Sequence, residues 1–243
     1  MESCNASKSE QRGEFLCYLR NVQEKDVGNM PDFAIFGHLT ANLSAGSDTT
    51  AMALRAIFYF LVKNPRTYEK LMQEIDEAEA EGKISEYVEL SEGQQLKYLQ
   101  AVIKEAMRLH PGVGMPLERV VPEGGATLCG EFIPGGTIVG INAWVVHHSK
   151  EVFGSDTDTF RPERWLDAGP DQLRLMEQAS FAFGHGSRSC IGKNISMLEI
   201  TKFVPQLLRH FRLEWASPQE EWTICGVWFA KQSGVIMRVI PRK

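Results

Sequence analysis

Apolar and polar positions fall along this chain in blocks of different character, and each block predicts an element. Residues 1 to 30 are polar apart from the patch "EFLCYL", and read as a loop or a frayed helix. From Pro31 to Lys63 the run "PDFAIFGHLTANLSAGSDTTAMALRAIFYFLVK" has no interior proline and stops at Asn64-Pro65. It predicts one helix of roughly 50 Å at about 1.5 Å per residue. Apolar residues on most of its faces imply that protein surrounds it. A second helix, Pro65 to about Ala80, carries the acidic run "EIDEAEAEG", read as a solvated face. "SEGQQLKYLQAVIKEAMRLHP" has the spacing of an amphipathic helix ending at His110-Pro111. Between Pro116 and Asn142, glycines, prolines and β-branched residues predict short strands joined by turns, a small sheet. An irregular stretch runs to Ser180, a helix follows from about Ile191 to His210, and the tail "WTICGVWFAKQSGVIMRVIP" predicts a terminal hairpin. The fold class is mainly α with small β hairpins. We find no internal repeat and no low-complexity segment.

Composition narrows the function classes. With 243 residues, 43% hydrophobic and 23% charged, the chain can bury one substantial core or two small ones. A net charge of -5 argues against a nucleic-acid partner, which needs a surplus of Lys and Arg on one face. Five cysteines, odd in number and without a C-x-x-C, fit reduced thiols in a cytosolic setting. No signal peptide is predicted, because "MESCNASKSEQRGEF" lacks an apolar core. The densest apolar run, Ala56 to Val62, is far shorter than the ~20 residues of a spanning helix. The expectation is a chain without an anchor.

One cysteine stands apart from the other four. Cys190 lies in "SFAFGHGSRSCIG", Ser180 to Gly192, among three glycines, two aromatics and an arginine. A disulfide would need an oxidising compartment, and zinc would need further Cys or His at ligand spacing. The plain alternative is a buried structural cysteine in a glycine-rich loop. The spacing Phe183-Gly184-x-Gly186-x-Arg188-x-Cys190-x-Gly192 resembles, position for position, the haem-binding signature of the cytochrome P450 family, the haem-thiolate monooxygenases. That resemblance implies a haem b cofactor with Cys190 as axial ligand to its iron. Glycines would let backbone N–H groups approach the sulfur, and a helix starting at Cys190 would present its positive end, both lowering the thiol pKa. Phe183 would shield the thiolate from water, and Arg188 would reach a haem propionate. His185 occupies a variable position and receives no ligand role.

Two further motifs stand in the family's order. Glu105 and Arg108, three apart in "KEAMRLHP", share one helical face, and "FRPERW" supplies Arg164. Alone, E-x-x-R is common on surface helices. In this order the resemblance implies a buried Glu105–Arg108–Arg164 network that fixes the loop behind the haem and touches no substrate. In "AGSDTT", Ala45 to Thr50, a glycine and four side chains able to bond the backbone interrupt the apolar helix. Their plain reading is a polar kink; the resemblance makes this the segment over the haem. Ala45 and Gly46 would leave room for dioxygen, and Asp48 and Thr49 would relay protons.

Arg119 in "PLERVV" matches a family position that contacts a propionate, or else is an exposed strand arginine. Val113 and Met115 in "GVGMPL", with Val227 and Phe229 in the tail, are the candidate substrate contacts. An apolar wall containing methionine suggests a lipophilic substrate, although ordinary core packing would look the same. The resemblance covers the chain from about Pro31, so residues 1 to 30 are set apart as a polar segment and 31 to 243 as the haem-binding domain. Two stretches, "LSAGSDTTAMALRAIFYFLVKNP" and "NAWVVHHSKEVFG", resemble the fungal, secondary-metabolite branch.

Family members run to roughly twice this length. The chain is therefore expected to be the C-terminal half of the fold, without the N-terminal half and its membrane anchor. It is expected to be cytosolic, while a full-length parent would sit on the cytosolic face of the endoplasmic reticulum membrane. The expected reaction inserts one oxygen atom from dioxygen into a small lipophilic substrate, with electrons from NADPH-cytochrome P450 reductase docking near the cysteine loop. Two rivals are a haem-thiolate isomerase or peroxygenase, which needs no proton relay, and a truncated, inactive or partner-binding fragment. Expressed alone, the chain is expected to take up haem poorly and not to turn over.

Overall fold

A proline at the first helical position after Asn64 starts α3, Pro65–Ala80, where a missing N–H costs nothing. Tyr68, Leu71, Met72, Ile75 and Ala78 then recur at helical spacing and are buried. The computed structural model describes residues 15–25, 28, 30–226 and 228–242. The chain divides into two compact units, one up to Asp48 and the other from Thr49 onward.

In the first unit, α1, Phe15–Lys25, buries Cys17 and Leu19. The first unit also holds the start of α2, Asp32–Lys63. Arg20 and Gln23 of α1 both donate to Asp32 Oδ1, at 2.6 and 3.0 Å. Through "AGSDTT" α2 remains helical, with Ser47 donating to the Leu43 carbonyl at 2.9 Å. The polar side chains there bond back one turn without ending the helix. Phe33, Phe36 and Leu43 are 71–79% exposed. Periodicity tells which faces of the helix can be buried, and these apolar positions lie open to water.

The second unit holds the main core. Ile57, Phe58 and Leu61 of α2 and Leu71 and Ile75 of α3 belong to it. So do Leu99, Val102 and Ile103 of α5 (Lys97–Leu109) and Ile200, Val204 and Leu208 of α10 (Lys193–His210). The reading of one helix over residues 91 to 111 resolves into two, α4, Leu90–Gln95, and α5, with the break at Leu96 (ψ 90°). Contact with α10 accounts for the break. A Cβ added at Gly93 would lie 2.6 Å from the Thr201 carbonyl oxygen, so only glycine lets the two helices approach. The acidic run of α3 is more than a solvated face. Glu74 caps α5 by accepting from the Tyr98 and Leu99 amides at 2.8 and 2.9 Å, and Asp76 pairs with Arg242 at 2.6 Å.

The small sheet is a pair of nested ladders. β1, Leu117–Val120, pairs antiparallel with β4, Ile138–Ile141, and between them β2, Ala126–Leu128, pairs with β3, Glu131–Ile133. Four short helices occupy the stretch read as irregular: α6, Ala143–Val146; α7, Lys150–Phe153; α8, Arg164–Asp167; and α9, Pro170–Gln178. The tail also differs from a simple hairpin. β6, Thr223–Cys225, pairs with β7, Lys231–Ser233, whereas β8, Met237–Pro241, returns to pair with β5, Phe211–Trp215. No helix among the described residues is long and apolar enough to cross a membrane.

Candidate functional site

The best-satisfied polar group in the second unit is the Glu105 carboxylate. Helical spacing puts Arg108 one turn further along α5, and its Nε and Nη2 donate to Glu105 Oε2 and Oε1, both at 2.9 Å. Arg164, on α8, donates through Nε to Oε1 at 2.8 Å. The Trp165 indole adds a bond to Oε2 at 2.9 Å and the Arg161 amide one to Oε1 at 3.1 Å. Glu105, Arg108 and Arg164 are 0, 1 and 3% exposed. Five donors fill the acceptor sites of one buried carboxylate, as a charge out of water requires. Asp156 completes the charge balance, accepting from Arg164 Nη1 at 3.0 Å. Burial pushes the Asp156 carboxyl up, but Arg164 and Arg161 outweigh this and hold it below the usual carboxylate range.

From this cluster a second histidine-centred group runs on. His147 follows α6 and is fully buried. Its Nδ1 meets the Arg108 carbonyl oxygen at 2.9 Å, and Arg108 Nη1 donates to the His147 carbonyl at 2.8 Å. On the far side of the ring, Nε2 accepts from the Phe181 amide at 2.8 Å. Desolvation lowers the His147 pKa to about 4, so the ring is neutral at neutral pH. Sequence reasoning missed His147. Its only signal was the pair "HH", of which His147 is buried and His148 half-buried.

Phe181 opens the cysteine loop. The Gly184 amide donates to the Phe181 carbonyl at 2.9 Å, and the Cys190 amide donates to Phe183 at 2.8 Å. Gly184 has φ +68° and Gly186 φ +70°, left-handed conformations that side chains resist. A short 3-10 turn, Gly186–Arg188, follows, and α10 begins only at Lys193 with Gly192 as its cap. Cys190 therefore sits in the turn ahead of the helix, three residues before its first residue, which corrects the expectation of a helix that starts at Cys190. It is exposed and forms no disulfide.

A cavity of about 260 Å³ opens beside it. Phe183, Gly184, Arg188 and Cys190 of the loop contribute to its wall, with Met107 of α5 and His110 at its C-terminal cap, Val113, Met115 and Leu117 after it, Ile200 of α10, and Thr49 and Thr50 of α2. Thr49 is half-buried, and Thr50, buried, lies 3.1 Å from Ser196, another wall residue. Ala45, Gly46 and Asp48 belong to the first unit and are exposed. Arg119 donates to the Glu118 and His185 carbonyls, at 2.7 and 3.3 Å, and is exposed. Of the tail residues, Phe229 is half-buried in a bridge to Val113 and is not a wall residue, whereas Trp228, which sequence reasoning missed, is. Val227 lies outside the described residues. His110, 2% exposed, meets the Ala230 carbonyl through Nε2 at 2.9 Å, and burial lowers its pKa to about 4. Among the described residues no group of three or more His, Cys, Asp or Glu could hold a metal ion. Apart from the His110 imidazole, whose Nε2 meets the Ala230 carbonyl, the metal donor in the cavity wall is a single thiol, Cys190. Such a donor suits a metal that arrives with its other ligands already in place.

The family model described as Cytochrome P450 matches residues 1–235. The cytochrome P450 monooxygenase cicH of Emericella nidulans is 44% identical over 229 residues, covering 94% of this chain and 46% of that protein. A cytochrome P450 monooxygenase of Aspergillus terreus is 46% identical over 198 residues (82% and 40%). A pisatin demethylase of Fusarium vanettenii is 50% identical over 202 residues (83% and 38%). The chain spans less than half the length of these relatives. A match to the family model along nearly the whole chain, with these identities, shows that the chain belongs to the cytochrome P450 family.

Proposed function

We propose that the chain carries the haem-thiolate site of a monooxygenase that inserts one oxygen atom from dioxygen into a lipophilic substrate of fungal secondary metabolism. The observation that carries this reading is Cys190, the one thiol in a largely apolar cavity wall, held in a glycine-bearing loop by its amide bond to Phe183. The residues present fit the cofactor. The wall offers one thiol donor and, among the described residues, no competing metal cluster, which suits a macrocycle that supplies four ligands of its own. Its apolar members suit the ring, and Arg188 suits an anionic edge. Three of the lining residues, Cys190, Arg188 and Trp228, are exposed, so the cavity is not closed off from solvent at their side chains.

When bound, haem supplies the dioxygen-activating chemistry. Cys190 Sγ would hold it, and the Phe183 ring would keep water from the sulfur. Arg188, with Arg119, neutralises the propionates. Ala45 and Gly46 present no bulk on α2, and Asp48 hands protons to the Thr49 hydroxyl, which delivers them at the cavity wall. Val113 and Met115 form the apolar wall that a lipophilic substrate meets, with Phe229 backing Val113 through its bridge. An NADPH-dependent cytochrome P450 reductase supplies electrons from the exposed side of the loop.

The test is Cys190→Ala in the haem-loaded protein. The red-shifted Soret band that thiolate ligation gives the ferrous carbonyl complex should vanish. Its persistence would overturn the assignment.

A further inference from the structure

We infer that His147 is a positioning residue: its Nε2, by accepting from the Phe181 amide, carries the geometry of the Glu105 cluster into the cysteine loop. The bonds form a continuous series. Glu105 fixes the Arg108 guanidinium, and Arg108 and His147 lock each other twice, through side chain to carbonyl in each direction at 2.8 and 2.9 Å. Phe181 then donates to Nε2 at 2.8 Å, Gly184 donates to Phe181, and Cys190 donates to Phe183.

The tautomer follows from the partners. An amide can only donate, so Nε2 must be the bare nitrogen, and Nδ1 must carry the proton that meets the Arg108 carbonyl. A neutral imidazole is required, and a fully buried ring with a pKa near 4 supplies one. Phe153 packs edge-on against the ring at 6.2 Å, leaving the imidazole no alternative partner on that side. A second side-chain hydrogen bond to the loop, Arg119 to the His185 carbonyl, is longer at 3.3 Å and exposed. The stiffer link therefore comes from beneath, through His147.

The inference rests on the haem-thiolate reading for its spectroscopic test, and a second measurement is independent of haem. Three substitutions separate the two ring nitrogens. His147→Gln keeps an acceptor near the Nε2 position, His147→Asn keeps polar atoms near Nδ1 but leaves Phe181 without an acceptor, and His147→Phe keeps the ring and loses both. Two quantities are read in the full protein: the red-shifted fraction of the ferrous carbonyl Soret band, and hydrogen exchange of the amides in residues 180–190 against those of α5. For the Asn and Phe variants the red-shifted fraction should fall several-fold. Exchange at Phe181 and Cys190 should rise about tenfold, the scale of one lost hydrogen bond, with α5 unchanged. The Gln variant should recover most of both.

Equal behaviour of Gln and Asn, whether both intact or both failing, would overturn the inference. Loss of protection in loop and α5 together would also overturn it, since that marks a purely structural residue. A wild-type protein with no red-shifted band would defeat the haem-thiolate reading, and the exchange comparison would still decide for or against His147. Should the Phe variant fail to fold, Gln against Asn decides alone.

Discussion

Two regions adjoin through Phe181, and they are built by opposite means. Below it lies a frame of charges, Glu105, Arg108 and Arg164, almost wholly removed from water and tied by side-chain bonds. Above it lies the cysteine loop, exposed from His185 to Cys190 and shaped largely by backbone bonds and left-handed glycines. The contrast has a chemical logic. On the proposed reading, a thiol that is to meet a cofactor cannot be wrapped in its own protein's side chains, so the precision of its placement has to come from a neighbour that can be. Buried charge is a costly way to build stability, but it specifies one arrangement, because any other would leave a charge unpaired.

That difference is broken most severely at the frame. Glu105→Gln leaves the Arg108 and Arg164 guanidiniums facing a neutral amide, with Asp156 as the remaining carboxylate. Removing one partner from a buried ionic cluster costs about 3–5 kcal/mol. Denaturant titration should show a loss of this size, and a loss below about 1 kcal/mol would mean that the cluster is not the frame.

Acidification probes the same region by proton linkage. His147 and His110 have folded pKa values lowered to about 4 from 6.5. In the window from 6.5 down to 4 the unfolded chain therefore binds protons that the folded chain refuses, and stability falls with pH. At pH 5 each ring forfeits about 2 kcal/mol, from 1.36 kcal/mol per unit over the interval below 6.5. Melting temperatures at pH 7 and pH 5 should differ accordingly, and His110→Gln should remove about half of the histidine-linked difference.

How much of this could be read from the sequence follows the same division. Helical spacing, a local property, puts Glu105 and Arg108 on one face, the family resemblance adds Arg164, and the structure brings all three within hydrogen-bond reach. The break at Leu96 has no local signal. Leucine favours helix, and the interruption comes from Gly93 pressed against Thr201, more than a hundred residues away. His147 is invisible for a similar reason, since burial of one histidine and not its neighbour depends on which side packs against α5. In the tail, Phe229 looks as apt a wall residue as any aromatic, but its bridge to Val113 leaves that place to Trp228. The acidic run on α3 looks uniformly solvated, yet Glu74 caps another helix.

The loop yields smaller effects, because so much of it is backbone. Gly184→Ala puts a side chain at φ +68°, a conformation that costs an L-residue about 1–2 kcal/mol. The added Cβ meets nothing nearer than 3.7 Å, so strain rather than collision sets the cost. A melting temperature lower by a few degrees is expected. Exchange in residues 180–190 should rise more than in α5, and equal changes in both would show that the loop is not independently shaped.

Cys190→Ala should have the smallest effect on stability, and it sharpens the comparison most. The thiol is exposed and makes no disulfide, and the loop is held at this position by the Cys190 amide, which alanine retains. Surface substitutions of this kind fall within about 0.5 kcal/mol. The cofactor-free protein should therefore melt as the wild type does, with unchanged exchange across residues 180–190. With haem, the same substitution should remove the thiolate signature completely. A cysteine whose loss costs the apoprotein several kcal/mol would be a structural core residue. In that case the division between a buried frame that stabilises and an exposed loop that reacts would not hold.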